Sequence, residues 1–171
     1  LNGGSAVPLW NTWLDGLQEH SEAADSMTVE QVKAMFQGAY EELFEMSTAK
    51  VGDKTMMDAL IPATEAIQAW EGDMDGLFEA GAKAAEAGAE NSKNFVSRFG
   101  RARSYGAQTI GTPDAGAVSM KYFFVGLHSS AEFSVKCKFC IGIGLERRVL
   151  NPEIHLYGVT IKIYCKKSYL Y

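Results

Sequence analysis

Apolar residues between residue 1 and about residue 127 recur at three- and four-residue steps, which is the period of an amphipathic helix. The clearest such stretch begins at Thr28, where Gln31 follows at the spacing of a capping box. The pattern predicts a helix with one apolar face and with charged residues such as Glu41 turned to water. The residues of that apolar face are Val32, Met35, Phe36, Tyr40, Leu43 and Phe44.

Three further helices are predicted in this part of the chain. One starts after Gly52, and Pro62 should kink or restart it because the proline ring displaces a backbone hydrogen bond. Another is predicted from about Met74 to Phe99, and a shorter one from about Pro113 through Met120. The apolar positions expected to face the core are Met56, Met57, Leu60 and Ile61 in the first of these helices, and Leu77, Phe78, Ala84, Ala85 and Phe95 in the next.

The pattern changes after about residue 127, where apolar and polar residues alternate in short runs with glycine and proline between them. We therefore expect an all-α domain, residues 1–126, followed by a divergent, β-prone or irregular tail, residues 127–171. The residues that alternate are Phe133, Val135, Cys137, Phe139, Ile154, Leu156, Val159, Ile161 and Ile163. Cys137 and Cys140 have the spacing of a zinc pair, with Cys165 and His155 as further ligands, or are ordinary strand cysteines.

Charge and composition exclude several classes of partner. The 171 residues have a net charge of −5, and such a chain has no general attraction for nucleic acid or anionic lipid. No apolar run approaches the roughly 18 residues that a membrane span needs. The N-terminus has no secretory signal and does not begin with Met, so we expect residues upstream. Three cysteines near one end do not form a disulfide framework, which favours the cytoplasm.

Three glycine-containing segments adjoin predicted helix starts, at residues 3–6, 52–56 and 100–116. Glycine permits close approach of a ligand, and the first N–H groups of a helix attract phosphate. Arg101 adds a guanidinium suited to phosphate oxygens. Each glycine also has an ordinary interpretation as a cap or turn, and Asp53 and Lys54 are expected to be solvated residues of a first turn. The residues alone therefore indicate a helical domain with candidate anion sites.

In combination, the three segments resemble the nucleotide-binding L domain of dihydroxyacetone (glycerone) kinases. Residues 3–10, GGSAVPLW, resemble the family's G-G-[AST]-[SA]-G-x-L-Y, with Val7 in place of a glycine. Residues 52–62, GDKTMMDALIP, match G-D-[KR]-T-M-x-D-x-x-x-P. Residues 100–117 resemble G-R-A-S-Y-x-G…I-G…D-P-G-A, with Ala115 in place of the usual proline. The shared order and separation make the resemblance specific.

The resemblance implies an antiparallel helical barrel that binds ATP or ADP at one end. The partner it implies is a K domain, in the same chain or a separate subunit, on which a histidine holds dihydroxyacetone covalently while the γ-phosphate is transferred. Catalysis in such an enzyme is mostly positioning and charge neutralisation. The residues that the resemblance assigns to the nucleotide are Gly4, Ser5, Ala6, Gly52, Thr55, Met56, Leu60, Ile61, Arg101, Asp114, Ala115 and Gly116.

The family's Mg²⁺ site is an aspartate cluster in a G-D-G-D-H-G-like loop that lies upstream of the first glycine pair. Asp15, Asp25 and Asp73–Asp75 lack its glycine context, so we assign no metal ligand and no catalytic residue. Mg²⁺ is expected in the complete domain only. Two hypotheses remain: a nucleotide-binding kinase component, or a catalytically inactive helical fragment that acts as a binding or interaction module.

Overall fold

A computed structural model describes residues 6–21, 26–134, 139–141, 154–156, 159–161 and 163–165. The α-helices of these ranges are α1 (Ala6–Glu19), α2 (Val29–Met46), α3 (Met57–Ala69), α4 (Met74–Asn91) and α5 (Ala115–Ser134), with 3₁₀ segments at Ser92–Asn94 and Arg101–Thr109. The strands are β1 (Phe139–Ile141), β2 (Ile154–Leu156), β3 (Val159–Ile161) and β4 (Ile163–Cys165). Strand β1 pairs antiparallel with β4, and β2 pairs antiparallel with β3.

The predicted start of α2 is confirmed. The Thr28 hydroxyl accepts a hydrogen bond from the Gln31 N–H at 3.2 Å, and the Gln31 side chain accepts one from the Thr28 N–H at 2.8 Å. The reciprocal bonds pair N–H groups that a helix start otherwise leaves open. Phe44 departs from the predicted apolar face, because 51% of it is exposed.

Consecutive helices pack antiparallel, as contacts along their lengths show. Thr12 in the middle of α1 donates to the Met46 sulfur at the end of α2, while Gly16, further along α1, lies against Ala39, further back in α2. Gly88 near the end of α4 lies against Asp58 near the start of α3. Helix α3 is the most enclosed, and the proline within it does not end it. The core residues contributed by α3 are Met57, Ala59, Leu60, Ile61, Ala63 and Ile67. The expected all-α fold is confirmed.

Two helix ends differ from the sequence-based prediction. Helix α4 ends at Asn91 instead of near Phe99. The buried Ser92 hydroxyl donates to the Ala89 carbonyl at 2.6 Å and accepts a hydrogen bond from the Asp114 N–H at 2.8 Å, which ties the end of α4 to the start of α5. Helix α5 continues to Ser134, so the strand expected around Phe133 is wrong. Within the described residues, no helix combines the length and the apolar character that a membrane crossing requires.

Candidate functional site

One end of the helical bundle is formed by the connection before α3, residues 47–56, and the connection between α4 and α5, residues 95–114; we call it the loop end. The Arg98 N–H donates to the Asp53 carbonyl at 3.1 Å, and the Arg98 guanidinium lies 3.5 Å from the Asp53 carboxylate. The Lys54 ammonium group also donates to the Thr112 carbonyl at 2.5 Å, so the second and third glycine-containing segments of the sequence meet in space.

The first connection is shaped by Asp58, whose side chain is fully buried in the first turn of α3. One carboxylate oxygen accepts a hydrogen bond from the Gly52 N–H and the other accepts one from the Thr55 N–H, both at 2.6 Å. Gly52 has a φ of 101°, which a side chain would disfavour. Asp58 thus holds the connection in a tight turn against the start of α3.

The second connection is shaped by Asp114, which caps α5. Its carboxylate accepts a hydrogen bond from the Ala117 N–H at 2.9 Å, and its own N–H donates to the Ser92 hydroxyl at 2.8 Å. A Cβ atom at Gly116 would lie 3.2 Å from the Met56 nitrogen and 2.9 Å from an Asp114 carboxylate oxygen. The starts of α3 and α5 therefore approach closely, and a side chain at residue 116 would crowd the start of α3.

The two aspartates share one electrostatic environment. Burial raises the pKa of Asp58, and the nearby charge of Asp114 raises it further, although the hydrogen bonds from Gly52 and Thr55 act to lower it. Burial also raises the pKa of Asp114, against the hydrogen bonds from its backbone partners and the charge of Lys54. The loop end consequently holds carboxylates that resist ionisation.

This environment predicts the direction of a pH dependence. Because the pKa of Asp58 is raised on folding, the folded chain binds more protons than the unfolded chain between the ordinary and the raised value. The contribution of Asp58 protonation to folding stability is complete below the ordinary pKa of about 4, and it is lost as the pH rises through the raised pKa. In a carboxyl NMR titration, Asp58 should have a higher midpoint in the folded chain than in a peptide of residues 55–61. A midpoint at or below that of the peptide would contradict this.

The structure brings some of the predicted nucleotide residues together. Thr55 and Met56 lie between Gly52 and the start of α3, and Ala115 is the exposed first residue of α5 beside Gly116. The residues that meet at the loop end are Gly52, Thr55, Met56, Asp114, Ala115 and Gly116. Arg101 is exposed at the start of the 3₁₀ segment in the second connection. Ala6 is exposed at the start of α1, and Gly4 and Ser5 lie outside the described residues.

The expectations for Leu60, Ile61, Asp53 and Lys54 need correction, and one residue has to be added. Leu60 is fully buried in the core and offers no surface to a ligand. Ile61 is 8% exposed and borders a cavity of about 510 Å³ between α2 and α3 instead of the loop end. Asp53 and Lys54 are 6% and 5% exposed, so they are not solvated residues. Asp58 was missed, although an aspartate flanked by apolar residues in a helical pattern is the signal of a buried acceptor.

The family of this chain follows from its match to a model of a known protein family. A family model described as "DAK2 domain" matches residues 2–129. The chain belongs to the DAK2 domain family. This DAK2 chain is 30% identical over 133 residues to the "PEP-dependent dihydroxyacetone kinase, ADP-binding subunit DhaL" of Escherichia coli K12, covering 76% of the chain and 63% of that subunit.

Other relatives of the DAK2 chain are also named as kinases. It is 31% identical over 121 residues to the "D-erythrulose kinase" of Mycolicibacterium smegmatis, covering 69% of the chain and 21% of that protein. It is 31% identical over 120 residues to the human "Triokinase/FMN cyclase", covering 68% of the chain and 20% of that protein. The DAK2 chain thus spans less than two thirds of each of these relatives.

In the described part of the DAK2 chain, no three His, Cys, Asp or Glu side chains are grouped to hold a metal ion. Cys137, which the zinc interpretation needs, lies outside the described residues.

Proposed function

We propose that this chain is the nucleotide-binding part of a glycerone kinase, with ADP or ATP bound at the loop end. The observation that supports this most is the close approach of the starts of α3 and α5 at Met56 and Gly116. Both helix starts have the positive end of a helix dipole and backbone N–H groups, which favour phosphate. The names of the relatives agree, since one is called an ADP-binding subunit.

The backbone approach and the charge of the loop end support a nucleotide site. A side chain at residue 116 would crowd the Met56 nitrogen, so the glycine lets the starts of α3 and α5 approach each other closely. Arg101, Arg103 and Arg98 are exposed around this end, which places cationic groups there in a chain of net charge −5. We propose that Arg101 contacts the nucleotide, that Asp114, Ala115 and Gly116 close over it, and that Gly4, Ser5 and Ala6 lie near its phosphates.

The phosphate acceptor would be dihydroxyacetone held on a K domain, in the same chain or in another subunit. The loop end offers a surface for such a partner, because large apolar side chains are exposed there among arginines. They are Val51, Val96, Phe99, Tyr105 and Ile110. The L-domain part would comprise residues 1–126, with 127–171 as a divergent tail, and the cytoplasm is the compartment we propose.

Mg²⁺ would neutralise the phosphate charge in the complete domain. The described carboxylates do not form a metal cluster, so we propose that the 171-residue chain tested by itself binds nucleotide weakly and that Mg²⁺ does not strengthen the binding.

The test is a titration of the chain with ADP, followed by NMR of the backbone amides. We expect the amides of Gly52, Thr55 and Gly116 to shift. We expect Arg101→Ala to raise the dissociation constant at least tenfold, since a charge-assisted hydrogen bond contributes roughly 1.5–3 kcal/mol. The titration is repeated with Mg²⁺, and tight Mg²⁺-dependent binding would contradict the weak binding that we propose.

Arg103→Ala is the matched control, because Arg103 is also exposed in the same 3₁₀ segment. Equal effects of the two substitutions would mean that only general charge attraction is involved. Absence of any ADP-induced shift at the loop end would favour the alternative, an inactive helical fragment that acts as an interaction module.

A further inference from the structure

Lys54 is a buried cation at the loop end that the proposed function does not use. Its side chain is 5% exposed, and its ammonium group donates to the Ser92 carbonyl at 2.8 Å and to the Thr112 carbonyl at 2.5 Å. These acceptors lie 38 and 58 residues further along the chain. A single side chain therefore connects the turn before α3 to the end of α4 and to the connection before α5.

The backbone of Lys54 is also in an uncommon conformation. Its φ of 59° lies in the left-handed region, which is unfavourable for a residue with a side chain. An ammonium group out of water adds a further cost that hydrogen bonds must offset. Residues held in such conformations persist only where the surrounding structure determines them, and they concentrate at functional sites.

We propose that Lys54 is a positioning residue of the nucleotide site. By fixing residues 92 and 112 relative to the turn at 52–56, it sets the separation between the start of α3 and the start of α5. That separation determines whether Met56 and Gly116 face the same phosphate group. Lys54 acts through the backbone and does not touch the ligand, since its ammonium group is directed to the two carbonyls. The inference rests on the proposed function.

Lys33 is a matched control at the other end of α3. Its ammonium group also donates to a backbone carbonyl, that of Trp70, and so ties α2 to the C-terminal end of α3. Lys33→Met removes a lysine–carbonyl hydrogen bond at the end of α3 that is distant from Met56. Lys54→Met removes the lysine–carbonyl hydrogen bonds at the loop end. Both substitutions keep an unbranched apolar side chain of similar length.

The experiment measures ADP affinity by amide shifts, together with amide hydrogen exchange, in the parent chain and in both variants. We expect Lys54→Met to raise the dissociation constant at least tenfold and to accelerate exchange at Gly111 and Asp114, whose N–H groups donate to Lys93 and Ser92. We expect Lys33→Met to leave the ADP dissociation constant unchanged even where it lowers the unfolding midpoint. If Lys54 only stabilised the fold, two variants with the same loss of stability would lose ADP binding to the same extent.

Each other outcome has a defined meaning. A parent chain that does not respond to ADP overturns the proposed function, and this inference with it. A parent that responds, with a folded Lys54→Met that binds ADP equally well, overturns the inference alone. Should Lys54→Met not fold, Lys54→Ala, which also removes the donor, takes its place. Failure of both variants to fold would show a global structural role and overturn the positioning role.

Discussion

Replacing Gly88 with alanine is expected to destabilise the fold by about 3 kcal/mol, as overpacking of a tight contact does. A Cβ atom at Gly88 would lie 2.0 Å from the Asp58 carbonyl oxygen and 3.0 Å from the Ala59 Cα atom. Both are backbone atoms, so no side chain can rotate away, and α4 must move from α3. The free energy of unfolding in urea measures the loss.

Gly126→Ala is the control, because it makes the same chemical change inside α5. Among the described residues, and leaving out the nearby backbone of α5 itself, no atom lies within 4 Å of a Cβ atom built at Gly126. Alanine favours a helix over glycine by about 0.5–1 kcal/mol, so this variant should be slightly more stable than the parent. Similar losses in both variants would show that the close approach of α3 and α4 does not determine the effect of Gly88.

The contact at Gly88 also explains how α3 accommodates Pro62. Proline has no N–H, so the Asp58 carbonyl lacks the usual donor four residues later. Gly88 brings its Cα against that same carbonyl. A weak C–H contact of this kind is common where helices approach closely. The Asp58 side chain holds Gly52 and Thr55, so a shift of α4 would also disturb the loop end.

The sequence predicted the parts of the fold that depend on local rules. The capping box at Thr28 and the helix starts near Gly52 and Asp114 were visible because their signals lie within a few neighbouring residues. The early end of α4 was not visible, because Ser92 is fixed partly by the Asp114 N–H, 22 residues away. The apolar spacing that predicted a helix through Phe95 continues beyond the end of α4, but Phe95 lies in the connection after it.

The candidate site shows the same division. The glycine-containing segments could be found from their spacing, and those at Gly52 and Gly116 lie together. The burial of Lys54 could not be found, because the carbonyls that accept its hydrogen bonds are backbone atoms of Ser92 and Thr112 and leave no trace in residue type. A charged residue in a turn is ordinarily solvated, and only the tertiary structure reverses that expectation.

Trp13 is expected to be the side chain of α1 on which the packing of that helix depends most. It is fully buried, its ring centroid lies 4.8 Å from that of Phe123 in α5, and it lies 6.3 Å from that of Phe36 in α2. Trp13→Ala should lower the free energy of unfolding by about 3–5 kcal/mol, as the loss of a buried aromatic side chain does. Urea unfolding followed by circular dichroism measures this.

Trp13→Phe separates aromatic packing from hydrogen bonding. In the described part of the chain the Trp13 indole N–H is buried without a hydrogen-bond partner, so its removal costs no hydrogen bond and relieves an unpaired donor. The phenylalanine variant should therefore lose less than about 2 kcal/mol, the loss coming from the smaller ring. Equal losses for the alanine and phenylalanine variants would mean that the indole N–H has a partner that stabilises the fold, and that ring contacts with α2 and α5 are not what holds α1 in place.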